Sequence, residues 1–87
     1  MVNNKYENIS TFSFDSTVSG IRRSDFANVM KRVDTDFLDD DKVLATEWEL
    51  TQQIDTDTPT VVTFYTAEDA NKAFAEIVRN AMVKHGL

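Results

Sequence analysis

Eighty-seven residues are fewer than the roughly 100–150 of a common domain, so one α+β domain is expected over residues 1–87, with residues 1–8 as a flexible lead. An apolar fraction of 41% with six Phe argues against disorder, and a net charge of −6 disfavours nucleic acid and anionic lipid as partners. No cysteine, no signal-peptide pattern at the start and no apolar run approaching about 20 residues lead to the expectation of a cytoplasmic protein without membrane contact.

The first element expected is a strand over residues 9–15, where Phe12 and Phe14 alternate with Thr11 and Ser13. Residues 16–20 read as a polar connection ending at Gly20, one of only two glycines. Phe26, Val29, Met30 and Val33 then recur at i, i+3, i+4 and i+7, so the spacing predicts an amphipathic helix over residues 24–33. Ser24 would cap it, Asp25 would sit at the positive end of its dipole, and Lys31 and Arg32 would lie near the negative end.

Residues 34–41 form an acidic loop with Phe37 and Leu38 as its anchors. Residues 43–54 alternate again, placing Leu44, Trp48 and Leu50 on one face, and residues 60–66 give a second alternating run after Pro59. The two runs form an antiparallel hairpin. Thr66, followed by Glu68 and Asp69, opens a helix whose stripe is Ala70, Ala73, Phe74, Ile77, Val78 and Ala81, and Gly86 is placed to end it.

The order β-α-β-β-α predicts a ferredoxin-like sandwich, a three-stranded sheet in spatial order 1-3-2 with two helices on one face. Its first strand would be an open edge.

Residues 62–74, running from Val62 through Phe64 and the Glu68-Asp69-Ala70 helix start to Phe74, resemble the third strand and second helix of an RNA-recognition motif. That resemblance implies the ferredoxin-like arrangement. The residues with which the family reads RNA are not matched: Pro59 and Val61 occupy the positions of its stacking aromatics, Asp57 that of its basic residue, and Thr11 and Ser13 stand on the first strand. RNA binding is therefore not expected from it. In size and acidity the chain is also similar to small bacteriophage accessory proteins.

No catalytic constellation is expected. His85, the only histidine, is the third residue from the chain end and is read as satisfying helix carbonyls. The acidic loop lacks the glycine and closing glutamate of a calcium loop, so neither a metal nor a cofactor is assigned. Arg22 and Arg23 are read as forming an internal salt bridge to the acidic loop rather than an anion site.

What remains is a non-enzymatic protein-interaction module that offers an acidic surface to a basic protein. Asp34, Asp36, Asp39, Asp40, Asp41, Glu47, Glu49, Asp55 and Asp57 would steer association, and Tyr65 would anchor it. The alternatives are a self-associating structural subunit of the kind found in virus particles, joined through the edge of the first strand, a nucleic-acid mimic, and a degenerate RNA-recognition domain.

Overall fold

The computed structural model of the chain describes residues 2–55 and 58–86. Five elements follow one another: β1 (Val2–Val18), β2 (Ile21–Asp36), β3 (Val43–Ile54), β4 (Thr60–Phe64) and α1 (Ala67–Lys84). The strands form one antiparallel meander in the order β1-β2-β3-β4. The expected ferredoxin-like sandwich is overturned, because the sheet has four strands instead of three in order 1-3-2, and one helix covers it instead of two.

The error lies in residues 24–33. They are the middle of β2, hydrogen-bonded to β1 on one side and β3 on the other. Both periods fit this stretch. Read with period two, Asp25, Ala27 and Val29 point to one face and Phe26, Asn28 and Met30 to the other, and burial follows that alternation. The helical stripe is a coincidence of spacing, and two long neighbouring strands decide against it. Residues 2–8, expected to be a flexible lead, form the first part of β1.

Ser19 and Gly20 join β1 to β2 with φ of 54° and 79°. A two-residue loop with both φ values positive matches the right-handed twist of the strands it connects, and glycine adopts it without steric cost. The β2–β3 connection, residues 37–42, is tied by backbone bonds from Asp36 N to Lys42 O (3.0 Å) and Lys42 N to Asp39 O (3.0 Å). Asp36 and Asp39 side chains accept from Leu38 N and Asp41 N, the local turns these residues favour. Phe37 and Leu38 do not anchor this loop: they are 53% and 89% exposed.

Register places Val29 opposite Leu50, Leu50 opposite Val62 and Trp48 opposite Phe64, all on one face. Antiparallel sheets commonly cover one face and solvate the other, and α1 supplies the cover. Val29, Leu50 and Ala70 form the buried centre, with Trp48, Phe64, Ala73, Phe74 and Ile77 packed around it. The expected helix is present: Thr66 Oγ1 accepts from Asp69 N at 3.2 Å, and Gly86, with φ 76°, follows the C-cap His85. α1 lies over β2, β3 and β4 and meets β1 through His85 of its C-terminal turn.

The molecule is long and thin, 56 × 22 × 15 Å, with a radius of gyration of 16.0 Å. A compact chain of this length would have a radius near 12 Å. Its accessible surface of 6002 Å² exceeds the roughly 5,200 Å² of a compact monomer of this mass.

Candidate functional site

The largest unsatisfied feature of the fold is the outer edge of β1. This strand pairs with β2 from Val2↔Asp36 to Val18↔Ile21, and no described strand borders its other side. Its outward N–H and C=O groups are a template for another strand. β1 contains no Pro or Gly, and Lys5, Glu7 and Asp15 are its only charged residues. The opposite edge, β4, spans five residues.

A bulge at Ile9 divides this edge. Asn8 pairs with Met30 and Ser10 with Val29, so Ile9 is the extra residue. Asn28 holds the bulge from β2, its amide donating to Ser10 O (3.0 Å), Thr11 Oγ1 (3.0 Å) and Asn8 Oδ1. Because that support comes from a side chain on the neighbouring strand, the bulge is a fixed feature of the edge. It separates residues 2–8 from residues 10–18.

The acidic residues singled out from the sequence are spread over three places. Asp34, Glu47 and Glu49 surround Arg32 on the uncovered face of the sheet. Arg32 donates to Glu49 Oε1 at 2.7 Å and to Glu47, and its Nε lies 3.3 Å from Asp34 Oδ1. That last contact is out of line for a hydrogen bond, so its attraction is Coulombic. Burial pulls the Arg32 guanidinium down, but Asp34, Glu47 and Glu49, with a hydrogen bond to Tyr6, outweigh it and hold it above its ordinary value.

Asp40 fastens the β2–β3 loop to the start of β1. It accepts from Asn3 Nδ2 at 3.0 Å and Thr35 Oγ1 at 3.3 Å, and Lys5 Nζ lies 3.5 Å away. The Asn3 hydrogen bond and the Lys5 charge hold its carboxyl below the ordinary 3.8. Asp55 sits beyond β3, where it accepts from Ser24 N at 3.1 Å and faces Lys84 at 3.4 Å and Arg23 at 3.5 Å. Partial burial pushes Asp55 upward, but the Ser24 N–H, Lys84 and Arg23 together hold it below 3.8.

Both depressed carboxyls stabilise the fold above the ordinary carboxylate range, and that contribution is lost as pH falls through their folded values. The urea midpoint is accordingly expected to be lower near pH 3 than near pH 6, with a smaller difference in Asp55→Asn. Equal pH dependence in Asp55→Asn and the parent chain would show that Asp55 does not carry the effect.

Asp36, Asp39 and Asp41 have no ion pair with any described residue. Asp57 lies outside the described residues. Tyr65, just after β4, is 74% exposed. Arg22 and Arg23 pair with Asp15 and Asp55 and not with the acidic loop, because both stand at the far end of β2 from it. Among the described residues no group of acidic or histidine side chains is arranged to hold a metal ion.

One cluster had no signal in the sequence. Ser16 Oγ lies 2.6 Å from His85 Nδ1, and His85 Nε2 lies 2.7 Å from Asp25 Oδ2. These are the residue types of a nucleophilic triad, brought together across 69 and 60 positions. An ionised carboxylate only accepts, so Nε2 donates to Asp25, while the Ser16 hydroxyl can either donate to or accept from Nδ1. The His85 side chain is 2% exposed, the Phe14 ring lies against it with centroids 4.5 Å apart, and no cavity opens beside it among the described residues. With Lys84 Nζ also 3.1 Å from Asp25 Oδ1, the arrangement fastens the end of α1 to β1 and β2.

No family model matches the chain, and no curated protein or solved structure is significantly similar to it.

Proposed function

We propose that the chain is a protein-interaction module, without catalytic activity of its own, that binds its partner by strand addition at the free edge of β1. The observation that supports this reading is a strand of 17 residues paired along one side only. Strand addition gives affinity through main-chain hydrogen bonds and specificity through alternate side chains. The thin, over-exposed shape of the molecule agrees with a fold that gains stability by association.

Thr11→Lys with Ser13→Lys adds two charges to β1 on the face away from α1, a device by which natural edge strands resist pairing. The doubly substituted chain is expected to retain its circular dichroism spectrum and to lose whatever the parent chain captures. Undiminished capture by a folded double variant would remove residues 10–18 of the edge from consideration.

A second reading, in which a basic protein docks on the acidic surface, is favoured by Asp36, Asp39 and Asp41, whose charges have no ion pair among the described residues. Electrostatic docking of this kind is expected to vanish near 1 M salt, where the screening length is about 3 Å. Binding through backbone ladders persists there.

A further inference from the structure

We propose that the occupant of this edge is a second copy of the same chain, joined antiparallel along residues 4–8 about a two-fold axis at Tyr6. The inference rests on the strand-addition reading and names its partner.

The segment is self-complementary. Residues 4–8 read Asn4-Lys5-Tyr6-Glu7-Asn8, so an antiparallel pair centred on Tyr6 sets Asn4 opposite Asn8, Lys5 opposite Glu7, and Tyr6 opposite its own copy. Each Lys–Glu pair occurs twice by symmetry. A parallel pairing in register would instead put Lys5 against Lys5 and Glu7 against Glu7, which like charges disfavour. The chain carries a net charge of −6, but this segment is neutral, so two copies meet here without the repulsion they would feel elsewhere.

The local structure fits this arrangement. Lys5 and Glu7 stand opposite Val33 and Lys31 of β2, on the same face as Val29, while Tyr6 stands opposite Arg32 on the other face. Both Lys5 and Glu7 are exposed, and α1 covers neither. Glu7 has no ion pair with any described residue, and the Asp40 contact of Lys5 is a loose 3.5 Å one between exposed groups. The bulge at Ile9 ends the flat part of the edge and so limits the ladder to residues before it.

Five residues at about 3.4 Å each make a strip roughly 17 Å long and about 10 Å thick, which belongs to the small, transient class of interfaces. The dimer is expected to dissociate on the order of 100 µM, typical of weak association.

Sedimentation velocity from about 10 µM to 1 mM reads the equilibrium directly across the range set by that affinity. Lys5→Glu and Glu7→Lys alone each place like charges opposite one another twice and should weaken the dimer roughly tenfold at low salt. The double swap Lys5→Glu/Glu7→Lys restores opposite charges and should return the parental affinity. The chain has no cysteine, so Tyr6→Cys introduces a single thiol. Directly opposed residues lie about 4.5–5.5 Å apart, within disulfide reach, and mild oxidation should yield a covalent dimer. Thr11→Cys, beyond the bulge, should not.

A chain that stays monomeric at 1 mM and does not cross-link through Tyr6→Cys overturns the second copy as the occupant. If such a monomer still captured another protein and lost it on Thr11→Lys/Ser13→Lys, strand addition would stand with a different partner. A dimer indifferent to both single charge reversals overturns the proposed register.

Discussion

Leu50→Ala is expected to lower the unfolding free energy by about 3 kcal/mol, within the roughly 2–5 kcal/mol seen for buried leucines. Leu50 is 4% exposed and belongs to the buried centre with Val29 and Ala70. It stands between Val29 and Val62 in the register, so truncation leaves a void bounded by fixed β-strand backbone on two sides. Such a site collapses poorly, which is what makes the loss exceed the transfer of the side chain alone. The described apolar core is small: Ala27, Ala70 and Ala81 complete it. A domain of this size sits near or below the lower end of the usual 5–15 kcal/mol, so the variant should be substantially unfolded at moderate temperature. Urea denaturation followed by far-ultraviolet circular dichroism measures the shift. Val61→Ala is the contrast, because Val61 pairs with Thr51 on the uncovered face of an edge strand, and it should change stability by less than about 0.5 kcal/mol. Equal effects at the two positions would mean that α1 does not cover the face assigned to it.

Asp25→Ala is expected to cost about 2–3 kcal/mol, the penalty for leaving buried charged and polar partners unmatched. The Asp25 side chain is 7% exposed and takes Lys84 at 3.1 Å and His85 at 2.7 Å. Lys84 keeps Asp55 as a second partner, whereas the enclosed His85 ring loses the one acceptor that its Nε2 has among the described residues. The damage should therefore be local. Hydrogen exchange is expected to accelerate in the last turn of α1 before it does at Val29 and Leu50. A double-mutant cycle with His85→Ala should give a coupling of about 1–2 kcal/mol. Additive losses would show that the cluster is a set of independent contacts and not a clasp.

How legible this was depends on how local each cause is. The last helix was readable because its cap, first-turn carboxylates, apolar stripe and terminal glycine lie within twenty-one positions of one another, from Thr66 to Gly86. The β3–β4 hairpin was readable because alternation and a short polar link are also local signals, and Trp48 and Leu50 face the helix as the alternation requires. Residues 24–33 were not readable. Their side chains satisfy a period of 3.6 and a period of two at once, and only the strands on either side distinguish the two. The acidic residues show the same division. Their number is plain in the sequence, yet Arg32 gathers three of them from two strands, Asp40 closes a loop, and Asp55 ties the end of α1 to the start of β2.

By itself, then, the sequence determined a capped C-terminal helix, an alternating β3–β4 hairpin and an acidic balance. Tertiary structure decided that the second element is a strand, that the first runs from Val2 to Val18, and that His85 joins Ser16 and Asp25. The physical reason is that a strand has no internal hydrogen bonds: its existence, length and facing depend on partners remote in the chain. A helix closes its own bonds and announces itself through its neighbours in sequence.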